Sequence, residues 1–595
     1  MRQGLLVVLT LCAGALAAQP FPLQSPPPSP PPIPDVQVDW GLKIPLRDGV
    51  QLNATRYRAR GDSTAQPCIV TLTPYISQSY HDRGMYFGAN GYVFLTVDVR
   101  GRGNSEGSFT PLLQEAKDGH DVIEWLAKRD FCNGKVTMWG GSYAGYNQWA
   151  AAKEFPRGLT TIVPVASPYA GVDFPMSDNM FYPYDIQWLT LTAGRASQDK
   201  MFGDAAYWES VFAKLYREHR PFRELDRVAG MPSKHFQTWI AHPARDKYWD
   251  SFNPTATQYA KIDLPILSVT GHYDGDQPGA LEHYRMHMAN ASAAARAQHY
   301  LIIGPWDHPG TRTPQAEVGG LTFGGASVVD MNAVHKAWYD WTLKSGPKPS
   351  FLQDAVAYYV TGAEEWRYAP SLQAVTGSTQ TWALASDSGG ANDVFNSGQL
   401  AAAHSGGPDR YVYDPMDVRT AELTANTTLP GLIDQRYVYR NRGGTLIYHS
   451  APFDKAVDIA GFFELRAHIA LDQPDTDIEV GVFDIAPDGS SRFLAADARR
   501  ARYRQDPRRE QLATPGTIEE YRFDSFTFIA HRIEVGHRLR LTVGPVNSPN
   551  QQRNYNSGGV VVDETADDAR TVTVTLHHDA AHPSALIMPV APPHP

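Results

Sequence analysis

Lys135-Val136-Thr137-Met138-Trp139-Gly140-Gly141-Ser142-Tyr143-Ala144-Gly145, followed by Tyr146-Asn147-Gln148-Trp149-Ala150-Ala151-Ala152, is the stretch on which the reading of this chain turns. A short apolar run behind Gly134-Lys135 reads as a strand, the small residues around Ser142 as a sharp turn, and Tyr146 to Ala152 as a helix. Glycines on both sides let the backbone turn tightly with the serine at the apex. The hydroxyl is then lifted clear of its neighbours, as in the elbow that presents the nucleophile of an α/β-hydrolase. The usual elbow has glycine two residues after the serine. Here that position is Ala144, and the glycine comes one later, at Gly145.

The segments around this elbow alternate in the same sense. Val36 to Tyr57 alternates apolar and polar residues about Arg47-Asp48-Gly49, a β-hairpin pattern. Cys68 to Thr73 and Tyr92 to Asp98 are buried-strand runs with a helical segment between them, a β-α-β order that implies a parallel sheet. Asp118 to Lys128 is helical, with Val122, Trp125 and Leu126 on one side. Thr161 to Val165, Pro265 to Thr270 and Tyr300 to Ile303 supply three more strands. Pro168 to about Ala260 interrupts this alternation, is rich in aromatics and mostly helical in pattern, and reads as a cap over the strand ends. Val334 to Leu343 reads as a closing helix. From about Pro349 helices become scarce and short alternating runs recur, among them Tyr437 to Tyr439 and Thr445 to Tyr448. That texture predicts an all-β sandwich or jelly roll.

The whole chain sets bounds on what this architecture serves. Its 595 residues are too many for one core, so two or three domains are expected. A charged share of 19% against a hydrophobic share of 42% describes a globular protein. The net charge of −10 argues against a nucleic-acid partner. Arg2, the apolar run Leu5 to Leu11 and the small-x-small site Ala15-Leu16-Ala17 predict a signal peptide over 1–18, export to a periplasmic or secreted location, and no membrane span in the mature form. Residues 19–34 read as a proline-rich linker. The expected organisation is then α/β-hydrolase over 35–170, helical cap over 171–260, hydrolase again over 261–346, and β jelly roll over 349–590. Cys12 leaves with the signal. Cys68 and Cys132 remain, and a disulfide and two buried thiols fit equally well.

A serine nucleophile needs a base, and the base needs an orienting carboxylate, in the chain order serine, acid, histidine. After the strand ending at Thr270 comes Gly271-His272-Tyr273-Asp274-Gly275. After the strand ending at Ile303 comes Gly304-Pro305-Trp306-Asp307-His308. Asp274 and His308 are the expected partners of Ser142, with His272 and Asp307 as near competitors. The oxyanion needs donors. The Tyr143 backbone N–H is one, and the Tyr75 hydroxyl, after the Cys68–Thr73 strand, is the candidate for the other.

Thr73-Pro74-Tyr75, Asp98 to Gly107 (DVRGRGNSEG), Gly140 to Gly145, Gly271 to Gly275 and Gly304 to His308 occur in order. Together with Tyr413-Asp414-Pro415-Met416-Asp417, Pro474-Asp475-Thr476-Asp477 and Val535 to Leu539, they resemble the family of cocaine esterase, α-amino-acid ester hydrolases, glutaryl cephalosporin acylases and X-prolyl dipeptidyl peptidases. The resemblance spans nearly all of the chain after the linker. It implies Ser142 as nucleophile, His308 as base, Asp274 as orienter, Tyr75 and the Tyr143 N–H as oxyanion hole, and no metal or organic cofactor. The spacing with Gly145 is that family's own form of the elbow. The amino-acid ester hydrolases hold the substrate ammonium with three acids, for which Asp178 and Asp276 are the matches here, while the third position is the neutral Gln277. The implied function is an exported serine hydrolase acting on a small ester, amide or short peptide through an acyl-enzyme, most like the amino-acid ester hydrolases and acylases. The alternatives are a proline-specific dipeptidyl peptidase or a carboxylesterase with an aromatic acyl pocket, and, in another class, an inactive secreted carbohydrate-binding protein. A homo-oligomer is compatible with all of them.

Overall fold

The computed structural model describes residues 35–386, 390–424, 431–440 and 443–593, so the expected signal peptide and linker lie outside the described residues. Ten strands form the first sheet: β1 Val36–Pro45, β2 Gln51–Ala59, β3 Gln66–Thr73, β4 Val93–Asp98, β5 Cys132–Gly141, β6 Leu159–Val165, β7 Ile266–Tyr273, β8 His299–Asp307, β9 Val356–Val360 and β10 Glu365–Ala369. Their order is β1-β2-β4-β3-β5-β6-β7-β8-β9-β10. The β1–β2, β2–β4 and β9–β10 pairs are antiparallel. The pairs from β4 through β9 are parallel.

The inner strands β3, β4 and β6 to β9 are buried on both faces, which is why they read as continuous apolar runs. Ile69, Phe94 and Val163 pack on one side with Phe87 and Trp338 from the helices His81–Ala89 and Met331–Lys344. Val70, Leu95 and Ile162 pack on the other with Val122 and Trp149 from the helices Glu115–Leu126 and Tyr143–Ala152. Cys68 and Cys132 form a disulfide at the start of β3 and β5, with Cα atoms 5.7 Å apart. Among the described residues no helix is long and apolar enough to cross a membrane.

Between β6 and β7 the chain leaves the sheet for a small hairpin (Met176–Ser177 with Met180–Phe181) and a set of helices, of which Tyr184–Leu191, Ala205–Arg217 and Lys234–Ile240 are the longest. Trp188, Trp208, Trp239 and Trp249 build the core of this cap.

The C-terminal part is largely antiparallel. A twelve-stranded sheet and the pair Val457–Gly461 with Ile529–Ile533 enclose an apolar core that includes Leu465, Val480, Leu541 and Leu586. β9 pairs in parallel with β8 and extends the hydrolase sheet, and the second sheet begins at Ser378. One sequence expectation is corrected here. The run Tyr437 to Tyr439 lies in a short helix, Arg436–Arg440, where Asp434 accepts the Arg436 N–H and pairs with its guanidinium at the turn that starts it.

Candidate active site

Ser142 sits between β5 and the helix Tyr143–Ala152 at φ 60°, ψ −129°. A non-glycine residue held there stores on the order of 1–3 kcal/mol of strain, sustained only by its surroundings. Its N–H donates to Val165 O at 3.0 Å, and its carbonyl accepts from Gly145 N and Tyr146 N. The displaced glycine now has a reason. A Cβ on Gly145 would lie 2.5 Å from Val165 O, and one on Gly140 would lie 2.5 Å from the Ala144 Cβ. Helix and sheet therefore approach at Gly145, and Ala144 is accommodated because position 140 has no side chain.

Asp274 and Asp276 lie in the loop where β7 runs into the helix Gln277–Asn290, and His308 directly follows β8. The Nδ1 of His308 is 2.7 Å from Asp274 Oδ1 and 3.7 Å from Asp276 Oδ2. Asp274 also accepts from the Asp276 N–H at 3.0 Å and from Thr270 Oγ1 at 3.2 Å. Burial works to push the His308 pKa down, but the charges of Asp274 and Asp276 outweigh it and hold the imidazole above its ordinary value. Burial works to push Asp274 up, and His308 prevails to hold it low. Asp276 is pushed up to about 7, by burial first and by the charge of Asp274, against the pull of His308. With Nδ1 donating to Asp274, the Nε2 of His308 is left to act as a base.

Tyr75 presents its hydroxyl to the same place. It accepts from Trp188 Nε1 at 3.0 Å and interacts with Ser142, and burial pushes its pKa up to about 12, so it is a neutral donor. Tyr143, whose N–H is the other expected donor, is fixed by its own side chain. Its hydroxyl donates to the buried Glu115 at 2.5 Å and accepts from Leu112 N at 2.6 Å. The sequence motif Asp98 to Gly107 supports this side of the site. Asp98 accepts the Ser77 N–H at 2.7 Å. Arg102, fully buried, donates to Pro74 O at 2.8 Å, to Ala193 O at 3.0 Å, to Leu191 O at 3.3 Å and to Gly194 O. It ties the Tyr75 loop to the end of the cap helix that carries Trp188.

Tyr75, Ser142, Tyr143, Asp276 and His308 line one cavity of about 390 Å³, together with Phe174, Tyr182, Tyr184, Trp188 and Asp173. Asp178 is not among its walls. Asp178 and Asn179 are the central residues of the Met176–Phe181 hairpin, with φ of 50° and 64°. Positive φ at both central positions is what a type I′ turn demands, and Asp and Asn tolerate it. The Asp178 carboxylate accepts from Ser177 Oγ at 3.0 Å and faces Arg499 of the β domain. The acid that does reach the cavity is Asp173, which sequence reading passed over. Its carboxylate accepts from Tyr169 N at 2.9 Å and Gly279 N at 2.5 Å. Burial, and next the charge of Asp276, hold its pKa well above the usual carboxylate range. Asp274 and His308 each directly follow a strand end, whereas Asp173 lies well past the end of β6 at Val165, so the signal that picked out the other two does not find it.

Gln277 is turned away from the cavity. Its Nε2 donates to Gly271 O, His272 O and Phe528 O, and its Oε1 accepts the Phe528 N–H at 2.6 Å. The competitors also have other work. His272 is buried against Phe528, with its pKa lowered to about 3 by burial. Asp307 accepts the Gly310 N–H at 2.8 Å and closes a turn.

Residues 48–310 match the X-Pro dipeptidyl-peptidase (S15) family, and residues 352–587 match the X-Pro dipeptidyl-peptidase C-terminal non-catalytic domain. The chain is an S15-family serine hydrolase. The cocaine esterase of Rhodococcus sp. (strain MB1 Bresler) is 26% identical to this S15 hydrolase, over 92% of the chain and 98% of the esterase. An aminopeptidase from a marine sediment archaeon (Thaumarchaeota) shares the fold at a TM-score of 0.80 and 22% identity, covering 96% of this chain and 99% of its own. An α-amino acid ester hydrolase does so at 0.79 and 21%, covering 95% and 98%. The S15 hydrolase thus shares the whole two-part architecture with these proteins.

Proposed function

We propose that this S15-family hydrolase cleaves esters or amides of small acyl groups that carry a free α-amino group, through an acyl-enzyme on Ser142. The observation that carries this reading is the pair of carboxylates, the buried Asp173 and the partly buried Asp276, in the cavity that also contains Ser142 and His308. A buried ammonium is costly to desolvate unless it is paired and hydrogen-bonded, and two carboxylates supply that. Phe174, Tyr182, Tyr184 and Trp188 offer apolar surface for the acyl side chain. The names of the two structural neighbours, an aminopeptidase and an α-amino acid ester hydrolase, agree with a substrate of this class.

The proposed chemistry is acyl transfer through the serine. Ser142 Oγ attacks the carbonyl carbon while His308 Nε2 takes the hydroxyl proton. The carbonyl oxygen becomes an oxyanion, held by the Tyr143 N–H and the Tyr75 hydroxyl. Collapse breaks the bond to the leaving group, which receives the proton from His308. Water then attacks the acyl-enzyme in the same way and releases the acid. Asp274 keeps the imidazole oriented and stabilises its charged form. Export belongs to the same proposal, supported by the Arg2 start, the Leu5 to Leu11 run and the Cys68–Cys132 disulfide.

The test is the ratio of kcat/KM for an α-amino acyl ester and its des-amino analogue. The expected ratio is well above one, and Asp173→Asn with Asp276→Asn should bring it toward one, mainly by lowering turnover of the amino substrate. A wild-type ratio near one favours the second reading, an aromatic-pocket carboxylesterase, for which the cocaine esterase relationship and the four cavity aromatics speak. Selective release of X-Pro dipeptides would favour the peptidase reading instead.

A further inference from the structure

The twelve-stranded sheet carries a second cluster of chemically capable side chains, outside the catalytic cavity and outside the sequence reading, which named no metal ligand. His468, in the strand Glu464–Leu471, stands directly opposite His577, the last residue of the strand Val572–His577. Side chains alternate along a strand, and His578, the next residue, turns inward to Asp409 at 2.9 Å. His577 therefore faces outward, beside its cross-strand partner. The turn that follows adds Asp579 and His582, whose Oδ1 and Nδ1 are 3.2 Å apart. Ligand-type atoms of His577, Asp579 and His582 all lie within 4.8 Å of one another. The ring centroids of His577 and His468 are 5.5 Å and 5.8 Å from that of His582. Two imidazoles bound to one metal through nitrogens at about 2.0–2.1 Å place their centroids roughly 5 Å apart, so the arrangement is close to coordinating distance.

Two further facts point to a ligand rather than to an ordinary solvated face. The Nδ1 of His468 is shut off from solvent and has no hydrogen-bond partner. The backbone beneath the cluster is braced: Ser584 Oγ accepts the His468 N–H at 2.8 Å and donates to His577 O at 2.5 Å. The Asp579 carboxylate accepts the N–H groups of Ala581 and His582 at 2.8 and 2.9 Å through Oδ1, which leaves Oδ2 for another partner.

We propose that His577, Asp579 and His582, with His468 beside them, form a binding site for a divalent transition metal of the zinc class. Two imidazoles and one carboxylate are a donor set suited to zinc, nickel or copper and poor for calcium or magnesium, which take oxygen ligands. The three ligands come from the end of one strand and the connection leading to the last strand, Ala585–Val590, which pairs with both Ser378–Ser386 and Glu464–Leu471. A metal here would staple the end of the chain to the sheet and leave the hydrolytic chemistry untouched.

The full-length protein, stripped with a chelator and desalted, is titrated with Co(II) and then Zn(II). The expected result is one equivalent of Co(II) bound with the absorption bands of a low-coordinate nitrogen and oxygen site, its displacement by Zn(II), and a higher thermal midpoint with Zn(II). His577→Ala and His582→Ala should each lower Zn(II) affinity by more than about tenfold and abolish the Co(II) bands. His242→Ala, which removes a histidine paired with Asp246 elsewhere on the surface, should change nothing. Ester turnover of all variants should equal that of the wild type. If a histidine variant does not fold, Asp579→Asn and His582→Gln read the same loss. No stoichiometric phase in the wild type, or wild-type affinity and spectrum retained in the histidine variants, would overturn the proposal.

Discussion

At the scale of single residues, three charged groups decide the chemistry within a few ångströms. As the proposed base, His308 must be neutral to take a proton, and its pKa is held above the ordinary value of about 6.5 by Asp274 and Asp276, against burial. Activity should therefore fall as pH drops, with the midpoint of the acid limb above about 6.5. Asp276→Asn removes one of the two charges that raise it, so the limb should move to lower pH in a kcat/KM profile on a des-amino ester. An unmoved limb would mean that Asp276 is not felt by the base. Asp276 itself is pushed up to about 7, mainly by burial, and binds a cation only when ionised. The amino-over-des-amino ratio should thus decline below that pH, and Asp276→Asn should flatten the decline. Ser142→Ala should abolish covalent labelling by a fluorophosphonate and lower turnover by several orders of magnitude, with an unchanged circular dichroism spectrum. Label found by mass spectrometry on another serine would transfer the role.

At the scale of elements, the Tyr75 loop and the cap helix Tyr184–Leu191 act as one piece because Arg102 binds carbonyls of both. The loop has Ile76 at φ 66°, a conformation that needs such restraint. Each hydrogen bond from a charged donor contributes about 1.5–3 kcal/mol, and a lysine cannot reproduce the planar fork. Arg102→Lys should accordingly lower kcat more than it changes KM and lower the thermal midpoint. An equal loss of stability with unaltered kcat would show that the loop holds its place without the cap. The elbow is the converse case, in which local sequence is nearly enough. Gly140 and Gly145 sit where a Cβ would collide with Ala144 or Val165, so the spacing that looked irregular along the chain is dictated by helix-on-sheet packing.

At the scale of the whole molecule, the β domain is part of the frame that positions the catalytic loop. Gln277 stands three residues after Asp274 and bonds Phe528 through both its amide nitrogen and its oxygen. On the other side the cap is held by Tyr216, whose hydroxyl meets Thr420 at 2.6 Å and Asn547 at 2.5 Å, and by Arg500, which donates to Asn179 O at 2.8 Å. Gln277→Glu would match the acid that resembling enzymes place here, yet its carboxylate would face three carbonyl oxygens. The expected outcome is a loss of about 2–4 kcal/mol in stability, measured by denaturant unfolding, and no gain in amine preference. A gain in that preference with intact stability would place position 277 in the cavity after all.

The sequence by itself determined the alternation of strands and helices, the elbow at Ser142, and the loops that carry Asp274 and His308. These are local consequences of apolar runs, turn residues and strand ends, and each is written within about ten residues. It also carried the change to β texture, while the sheet that β9 and β10 join is set by long-range pairing. Only the tertiary structure decided which acids face the cavity. Asp173 and Asp178 are five residues apart and chemically identical along the chain. One is buried against Tyr169 and Gly279 beneath the cap, and the other is spent on a tight turn near Arg499. The same holds for Gln277, whose partner Phe528 is 251 residues away, and for the outward histidines, which meet because strand register sets His468 against His577. Long-range register and packing fix such neighbours, and no local pattern encodes them.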